Sequence, residues 1–179
     1  MNKWLWTVIA AVTFSLLGCN ALSGSPGETE STIPDTEPGI TGYVMDKTDD
    51  SMLVVDPEAQ DFSETGGTDE FYDAIRFSDI PDHVELGDHV RVWYDMVADS
   101  YPGQASAAHV EVIPSQSPEG ATMTESELLN QVLEAHQAEI SELVVVDSIT
   151  YDSRNELWEV ILNGVWDDDI YTFEIADPQ

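Results

Sequence analysis

Short runs of alternating apolar and polar residues, separated by turn-forming residues, dominate the chain from residue 40 to 113. Side chains that alternate with a period of two lie on opposite faces of a strand, so these runs predict β-strands. Five strands with a loop in the middle favour an OB-like five-stranded β-barrel, and a short β-sandwich is the alternative. The runs are ITGYVMDK (40–47), SMLVVD (51–56), DEFYDAIRFS (69–78), LGDHVRVWYD (86–95) and QASAAHVEVI (104–113).

The pattern changes after the linker PSQSPEGA (114–121). Thr124 and Glu127 match a capping box, and apolar residues recur behind it at helical spacing. Three strand-like runs follow, with turn signals at 153–155 and at Asn163-Gly164. The helical face comprises Leu128, Leu129, Val132, Leu133, His136 and Ile140, and the runs are LVVVDSITY (143–151), LWEVILN (157–163) and IYTFEIA (170–176). We therefore expect a mainly β (α+β) protein, with an OB-like barrel over 40–115 and an αβββ module over 120–179.

The first 18 residues have the layout of a secretory signal: a cation at Lys3, an apolar run over 4–17, and the small residue Gly18. The apolar run is shorter than the roughly 18 residues expected of a membrane-spanning helix. The next residue is Cys19, and Leu16-Leu17-Gly18-Cys19 resembles the bacterial lipobox, in which the cysteine is acylated and the signal is cut before it. A plain signal peptide with an incidental cysteine is the alternative. The lipobox predicts a protein held by membrane lipid on the extracellular face of a cell membrane.

Residues 20–39 are rich in Ser, Gly, Pro, Thr and acid, without a hydrophobic period. Such a composition buries too little apolar surface to offset chain entropy, so 19–39 is expected to be a lipidated cysteine followed by a disordered tether. A flexible coil of this length would hold the folded part about 25 Å from the lipid on average. Cys19 is the only cysteine, so no disulfide is expected.

The charge balance is extreme, with 36 Asp and Glu against 5 Lys and Arg and a formal net charge of -31. A chain of this charge repels polyanions, which excludes nucleic acid as a partner. Because salt screens repulsion between surface carboxylates, the composition also indicates a halophilic or salt-tolerant source, with an alkaliphile as the alternative.

The sequence contains no pattern that supports catalysis. Its histidines are His83, His89, His109 and His136. None of them lies in HExxH, no serine lies in GxSxG, and Gly66-Gly67 lacks the lysine of a phosphate-binding loop. We expect a protein that is not an enzyme and needs no cofactor.

Acidic turns are the only candidates for metal binding, and we assign no metal site. Asp46, Asp49 and Asp50 surround the first hairpin, and Asp167, Asp168 and Asp169 follow Asn163-Gly164. Neither group matches the twelve-residue calcium loop, so they are interpreted as solvated turns. Weak binding of a divalent cation at millimolar concentration is the alternative.

Aromatic residues offer another kind of site, because they line the faces of barrels that bind extended ligands. Most of them are expected in the core. Trp93 lies opposite the face of Val90 and Val92, and Tyr101 lies in the loop SYPGQ. If Trp93 and Tyr101 are exposed and adjacent, they form a possible site for a peptide or glycan.

Residues 40–115 resemble a known family. The stretches FSETGG, FYDAIRFS and SYPGQASA are similar to the YobA-like lipoproteins of Gram-positive bacteria, which share a domain of unknown function (DUF3221). More weakly, the helix and three strands that end in YTFEIADP resemble PepSY modules, which occur in propeptides of secreted metallopeptidases and in cell-envelope proteins. The first resemblance implies a lipoprotein and no activity.

We therefore expect a membrane-anchored lipoprotein that binds an unknown extracellular protein or small ligand without catalysis. The alternative is a regulator of an extracellular peptidase that acts through the PepSY-like module.

Overall fold

The predicted hairpin around Thr48-Asp49-Asp50 is present in a computed structural model, which describes residues 33–140, 142–167 and 169–178. The N–H of Thr48 donates to the carbonyl of Ser51 at 2.8 Å and closes the turn. The predicted signal segment, its Leu16, Leu17 and Gly18, and Cys19 lie outside the described residues.

The described part of the N-terminal segment contains seven strands and one short 3₁₀ turn, Ser63–Thr65. The strands form one mixed sheet in the order β5-β6-β3-β2-β1-β4-β7, and only the pair β3–β6 is parallel. The strands are β1 (Ile40–Lys47), β2 (Ser51–Val55), β3 (Ala74–Ser78), β4 (His89–Trp93), β5 (Val97–Ala98), β6 (Gly103–Ser106) and β7 (His109–Val112). The prediction of five strands was too low, because the last predicted run divides into β6 and β7 and the short β5 adds to the sheet.

Strands β6 and β7 lie far apart in the strand order, yet only Ala107 and Ala108 separate them along the chain. The N–H of Ala107 donates to the carbonyl of Ser78 in β3 at 3.0 Å, and that of Ala108 donates to the carbonyl of Trp93 in β4 at 2.8 Å. Three Cα–Cα steps span at most about 11 Å, so the sheet must curl strongly to bring β3 and β4 to the two sides of this segment. The curled sheet encloses its own apolar cluster, comprising Ile40, Val44, Met52, Val54, Ile75, Phe77, Val84, Val90, Val92 and Val110.

The described part of the C-terminal segment contains one helix and an antiparallel three-stranded sheet, as predicted. The elements are α1 (Glu125–Ala135), β8 (Val144–Asp152), β9 (Leu157–Gly164) and β10 (Ile170–Ala176), and the strand order is β10-β9-β8. The capping box is confirmed, because Glu127 N–H donates to Thr124 Oγ1 at 3.2 Å and Thr124 N–H donates to Glu127 Oε2 at 2.8 Å. The predicted turn at Asn163-Gly164 lies slightly later, because the Gly164 N–H donates to the Asp169 carbonyl and extends β9.

The helix and the three-stranded sheet share their core with the first segment. Met45, Leu53, Val55 and Ala74 belong to the same buried cluster as Trp158 and the buried face of α1. Residues 33–179 accordingly form one compact unit. The linker therefore marks a change of architecture, and apolar packing continues across it.

The start of the described chain is attached to the curled sheet. The indole Nε1 of Trp93 donates to the Thr36 carbonyl at 2.7 Å, and the Gly39 N–H donates to the Val92 carbonyl at 2.9 Å. The last residues of the segment that composition assigns to the tether are thus bonded to β4. No helix in the described part of the chain is long and apolar enough to cross a membrane.

Candidate ligand-binding surfaces

Three of the four histidines pack against aromatic rings. His89 stacks on Tyr43 with centroids 4.5 Å apart, and burial, followed by the charge of Arg91, lowers the pKa of His89. His136 lies 4.3 Å from the ring of Phe173, and its Nδ1 lies 3.3 Å from Glu139 Oε2. These histidine rings take part in packing between side chains. The expectation that the protein is not an enzyme stays a prediction.

One of the three aspartates around the first hairpin, Asp46, forms an ion pair. Arg76 donates to Asp46 Oδ2 at 2.8 Å, across β1, β2 and β3. Within residues 33–140, 142–167 and 169–178, no group of three or more His, Cys, Asp or Glu side chains is placed to hold a metal ion. Asp168 lies outside these ranges, and weak calcium binding stays a prediction.

Trp93 is buried, with 7% of its surface exposed. Its Nε1 is bonded to Thr36, and its ring lies 5.2 Å from that of His109. The strand alternation correctly places Trp93 away from Val90 and Val92. The segment that precedes β1 then bonds to its indole, which no local pattern could indicate. The expected exposed pair of Trp93 and Tyr101 is therefore not present, and a role of either residue in ligand binding stays a prediction.

Tyr101 lies in the middle of a row of aromatic rings. Its hydroxyl donates to the Tyr72 carbonyl at 2.8 Å, and burial, together with the nearby charge of Asp73, raises its pKa to about 12. The ring centroids are 5.6 Å apart for Phe62 and Phe71, 5.4 Å for Phe71 and Tyr101, and 5.0 Å for Tyr101 and Trp166. The row therefore links the loop after β2, the loop before β6 and the loop after β9.

Trp166 ends this row at a cleft of about 350 Å³, which we call the aromatic cleft. Trp166 is 63% exposed, and Ile170, which also lines the cleft, is 69% exposed. The Tyr72 hydroxyl donates to Glu70, and burial, followed by this bond, raises the pKa of Tyr72 to about 12. Among the described residues, the acidic side chains along the cleft are Asp69, Glu70, Asp167 and Asp169.

Hydrogen bonds fix the backbone that carries Trp166. The Val165 N–H donates to the Leu143 carbonyl at 2.9 Å, and the Gly164 N–H donates to the Asp169 carbonyl at 2.8 Å. The N–H of Trp166 lies 3.4 Å from Glu142 Oε2, a longer and weaker contact. The exposed indole thus projects from a loop that is bonded on both sides.

A second, shallower groove of about 1020 Å³ lies over β3 and β6, and we call it the strand groove. Met96 and Val97, which are 84% and 48% exposed, lie on the segment between β4 and β6 that lines it. Small and hydroxyl side chains such as Ser78 and Ala105 line much of the rest, together with Arg76, Phe77, Asp95 and Gln104. Sequence reasoning missed Met96 and Trp166. The available signal was a large apolar residue beside aspartates, outside any alternating run.

No curated protein and no solved structure matches the chain significantly. One family model matches residues 41–114, the region from β1 to β7, and its description is "Protein of unknown function (DUF3221)". The resemblance to DUF3221 stated from the sequence is thereby confirmed for this region. Residues 41–114 of this chain are therefore similar to the DUF3221 family, to which the family description assigns no function.

Proposed function

We propose that the protein is an exported lipoprotein, anchored through an acylated Cys19, that binds an extended, uncharged extracellular ligand in the strand groove without catalysing a reaction. The observation that carries this proposal is the high exposure of Met96 and Val97 beside the groove. Large apolar side chains in contact with water mark binding surfaces when they adjoin an unfilled depression.

The strand connections favour an OB-like barrel, which is the finer part of the proposal. If 103–112 is treated as one bent strand, the pairing runs β1-β2-β3, then this segment, then β4, which pairs with β1. OB-folds bind extended ligands on the face of their second and third strands and with the loop before their last strand. The strand groove lies against β3 and the segment 95–98, which are the corresponding positions.

The lining of the groove favours an uncharged ligand. Its charged side chains are Arg76 and Asp95, and Arg76 is already paired with Asp46. Serine hydroxyls and the amide of Gln104 can bond to amides or sugar hydroxyls, while Met96 and Val97 can cover an apolar face. The net charge of -31 also favours an uncharged ligand over a polyanion, because the protein would repel a polyanion.

Binding of the full-length protein in detergent to arrays of uncharged peptides and cell-wall glycans tests this proposal. Met96→Asp should reduce binding at least tenfold, because it places a charge at the apolar rim. Ile33→Asp is the matched control, since Ile33 is also exposed but lines neither surface. Equal binding by Met96→Asp and the parent protein would exclude the groove as the site.

The alternative, a regulator of an extracellular peptidase, makes a different prediction. It requires that the protein change the rate of a secreted metallopeptidase in a purified assay, and that the change survive Met96→Asp. The groove proposal predicts no effect on the peptidase.

A further inference from the structure

We propose that the aromatic cleft is a second binding site, which takes the cationic side chains of a lysine- or arginine-containing extracellular peptide segment. The site is independent of the strand groove. It is formed by Trp166, Ile170 and four described acidic residues, namely Asp69, Glu70, Asp167 and Asp169.

Trp166 supplies an aromatic face for a cation. Its ring plane is at 85° to that of Tyr101, so one ring meets the other edge-on, and 63% of Trp166 remains exposed. An ammonium or guanidinium group over an indole is attracted by the negative face of the ring, and tryptophan is the best residue for this contact.

The charges of the cleft complement the same group. Among the described residues that line it, four are acidic and none is Lys, Arg or His. Arg76 and Arg91, two of the few cations of the chain, are instead bonded to Asp46 and Glu111. The negative potential of the cleft is therefore not neutralised by a basic residue in its lining.

The acidic side chains alone would be ordinary solvated surface in a chain this acidic. The cleft differs because Trp166 and Ile170 are both highly exposed there. A surface adapted only to salt gains nothing from two large apolar side chains in water, whereas a peptide segment would cover them while its cations met the carboxylates.

Two parts of the cleft, Glu70 and the backbone beside Trp166, are also held in place before a ligand arrives. The Tyr72 hydroxyl bonds to Glu70, and the loop of Trp166 is bonded to Leu143. Preorganised groups lose less entropy on binding, so short peptides should bind measurably.

The test is a titration of the full-length protein in detergent with tetralysine, tetraglutamine and spermine, followed by calorimetry and tryptophan fluorescence. We expect tetralysine to bind, with an affinity that falls as salt rises, and tetraglutamine to bind at least tenfold more weakly. Trp166→Ala should weaken tetralysine binding roughly three- to tenfold, and Trp166→Phe should weaken it less.

A matched pair of charge variants distinguishes binding at the aromatic cleft from nonspecific attraction to the acidic surface. Asp167→Asn should weaken tetralysine binding, whereas Asp49→Asn, which removes the same charge from the first hairpin turn, should leave it unchanged. Equal losses in both variants, or unchanged binding by a folded Trp166→Ala protein, would overturn the proposal. Spermine that binds as tightly as tetralysine would overturn a peptide as the occupant. None of these measurements involves the strand groove, so either proposal can fail without the other.

Discussion

The side-chain amide of Asn130 in α1 donates a 3.0 Å hydrogen bond to the carbonyl of Leu86, in the loop before β4. The next residue, Gly87, has a φ of +86° and lies directly against the helix. A Cβ atom at Gly87 would stand 2.6 Å from the Asn130 nitrogen and 2.8 Å from the Ser126 carbonyl oxygen. The two segments of the protein therefore meet backbone to backbone at this point.

Gly87→Ala should lower the free energy of unfolding by about 2–4 kcal/mol, because it adds a backbone clash to an unfavourable positive φ. Gly66→Ala is the matched control, since Gly66 has a φ of +87° and no neighbouring atom within 4 Å of its added Cβ. That variant should lose only about 1–2 kcal/mol. Urea unfolding of both variants measures the difference. Equal losses of unfolding free energy would show that the helix moves away from the added Cβ at little cost.

The hydrogen bonds of Asp177 predict how the stability of the fold depends on pH. Its carboxylate accepts hydrogen bonds from Trp158 Nε1 at 2.9 Å and from the backbone N–H groups of Thr122 and Met123 at 2.7 and 3.2 Å. Desolvation raises the pKa of Asp177, but these bonds outweigh it and leave the pKa below its ordinary value. A lowered pKa stabilises the fold above about pH 3.9, where an unfolded aspartate is ionised, and this contribution is lost as the pH falls through the lower folded-state pKa.

Asp177→Asn removes that pH dependence. The difference in melting temperature between the parent and the variant should be constant above pH 5 and should shrink as the pH falls below 4. Asp49→Asn provides the charge-matched control, and its melting temperature should follow the parent at each pH. A difference for Asp177→Asn that grows towards low pH would contradict the hydrogen-bonded carboxylate.

Cys19→Ala tests the proposed anchor. Without the thiol there is nothing to acylate, so the protein should appear in the medium or accumulate uncleaved. Fractionation of cells followed by immunoblotting measures both outcomes. Membrane retention and processing that match the parent would contradict lipidation at Cys19.

Salt should stabilise the fold, because 36 acidic residues face only 5 basic ones. The screening length falls from about 8 Å at 0.15 M salt to about 3 Å at 1 M, which reduces repulsion between surface carboxylates. We expect the melting temperature to rise with NaCl, whereas a flat or falling curve would count against a salt-adapted surface.

Local sequence patterns predicted the helices and strands that depend on interactions between residues close in sequence. The capping box of Thr124 and Glu127 and the alternation of Trp158, Val160 and Leu162 required only neighbouring residues. The burial of Trp93 depends on a bond to Thr36, which is 57 residues away in sequence, and no period in the chain encodes it. The aromatic cleft likewise depends on loops that come together only in the folded chain. Tyr101 was identified from its sequence, but its neighbour Trp166 was not.

The bonds of Asp177 also constrain when folding can finish. Proteins are made from the N-terminus, and Asp177 bonds to Thr122 and Met123, just before α1, and to the indole of Trp158, near the start of β9. Those bonds cannot form until residue 177 has left the ribosome. These hydrogen bonds, which join the residues before α1 and the indole of β9 to the residue after β10, are therefore among the last of the fold to form.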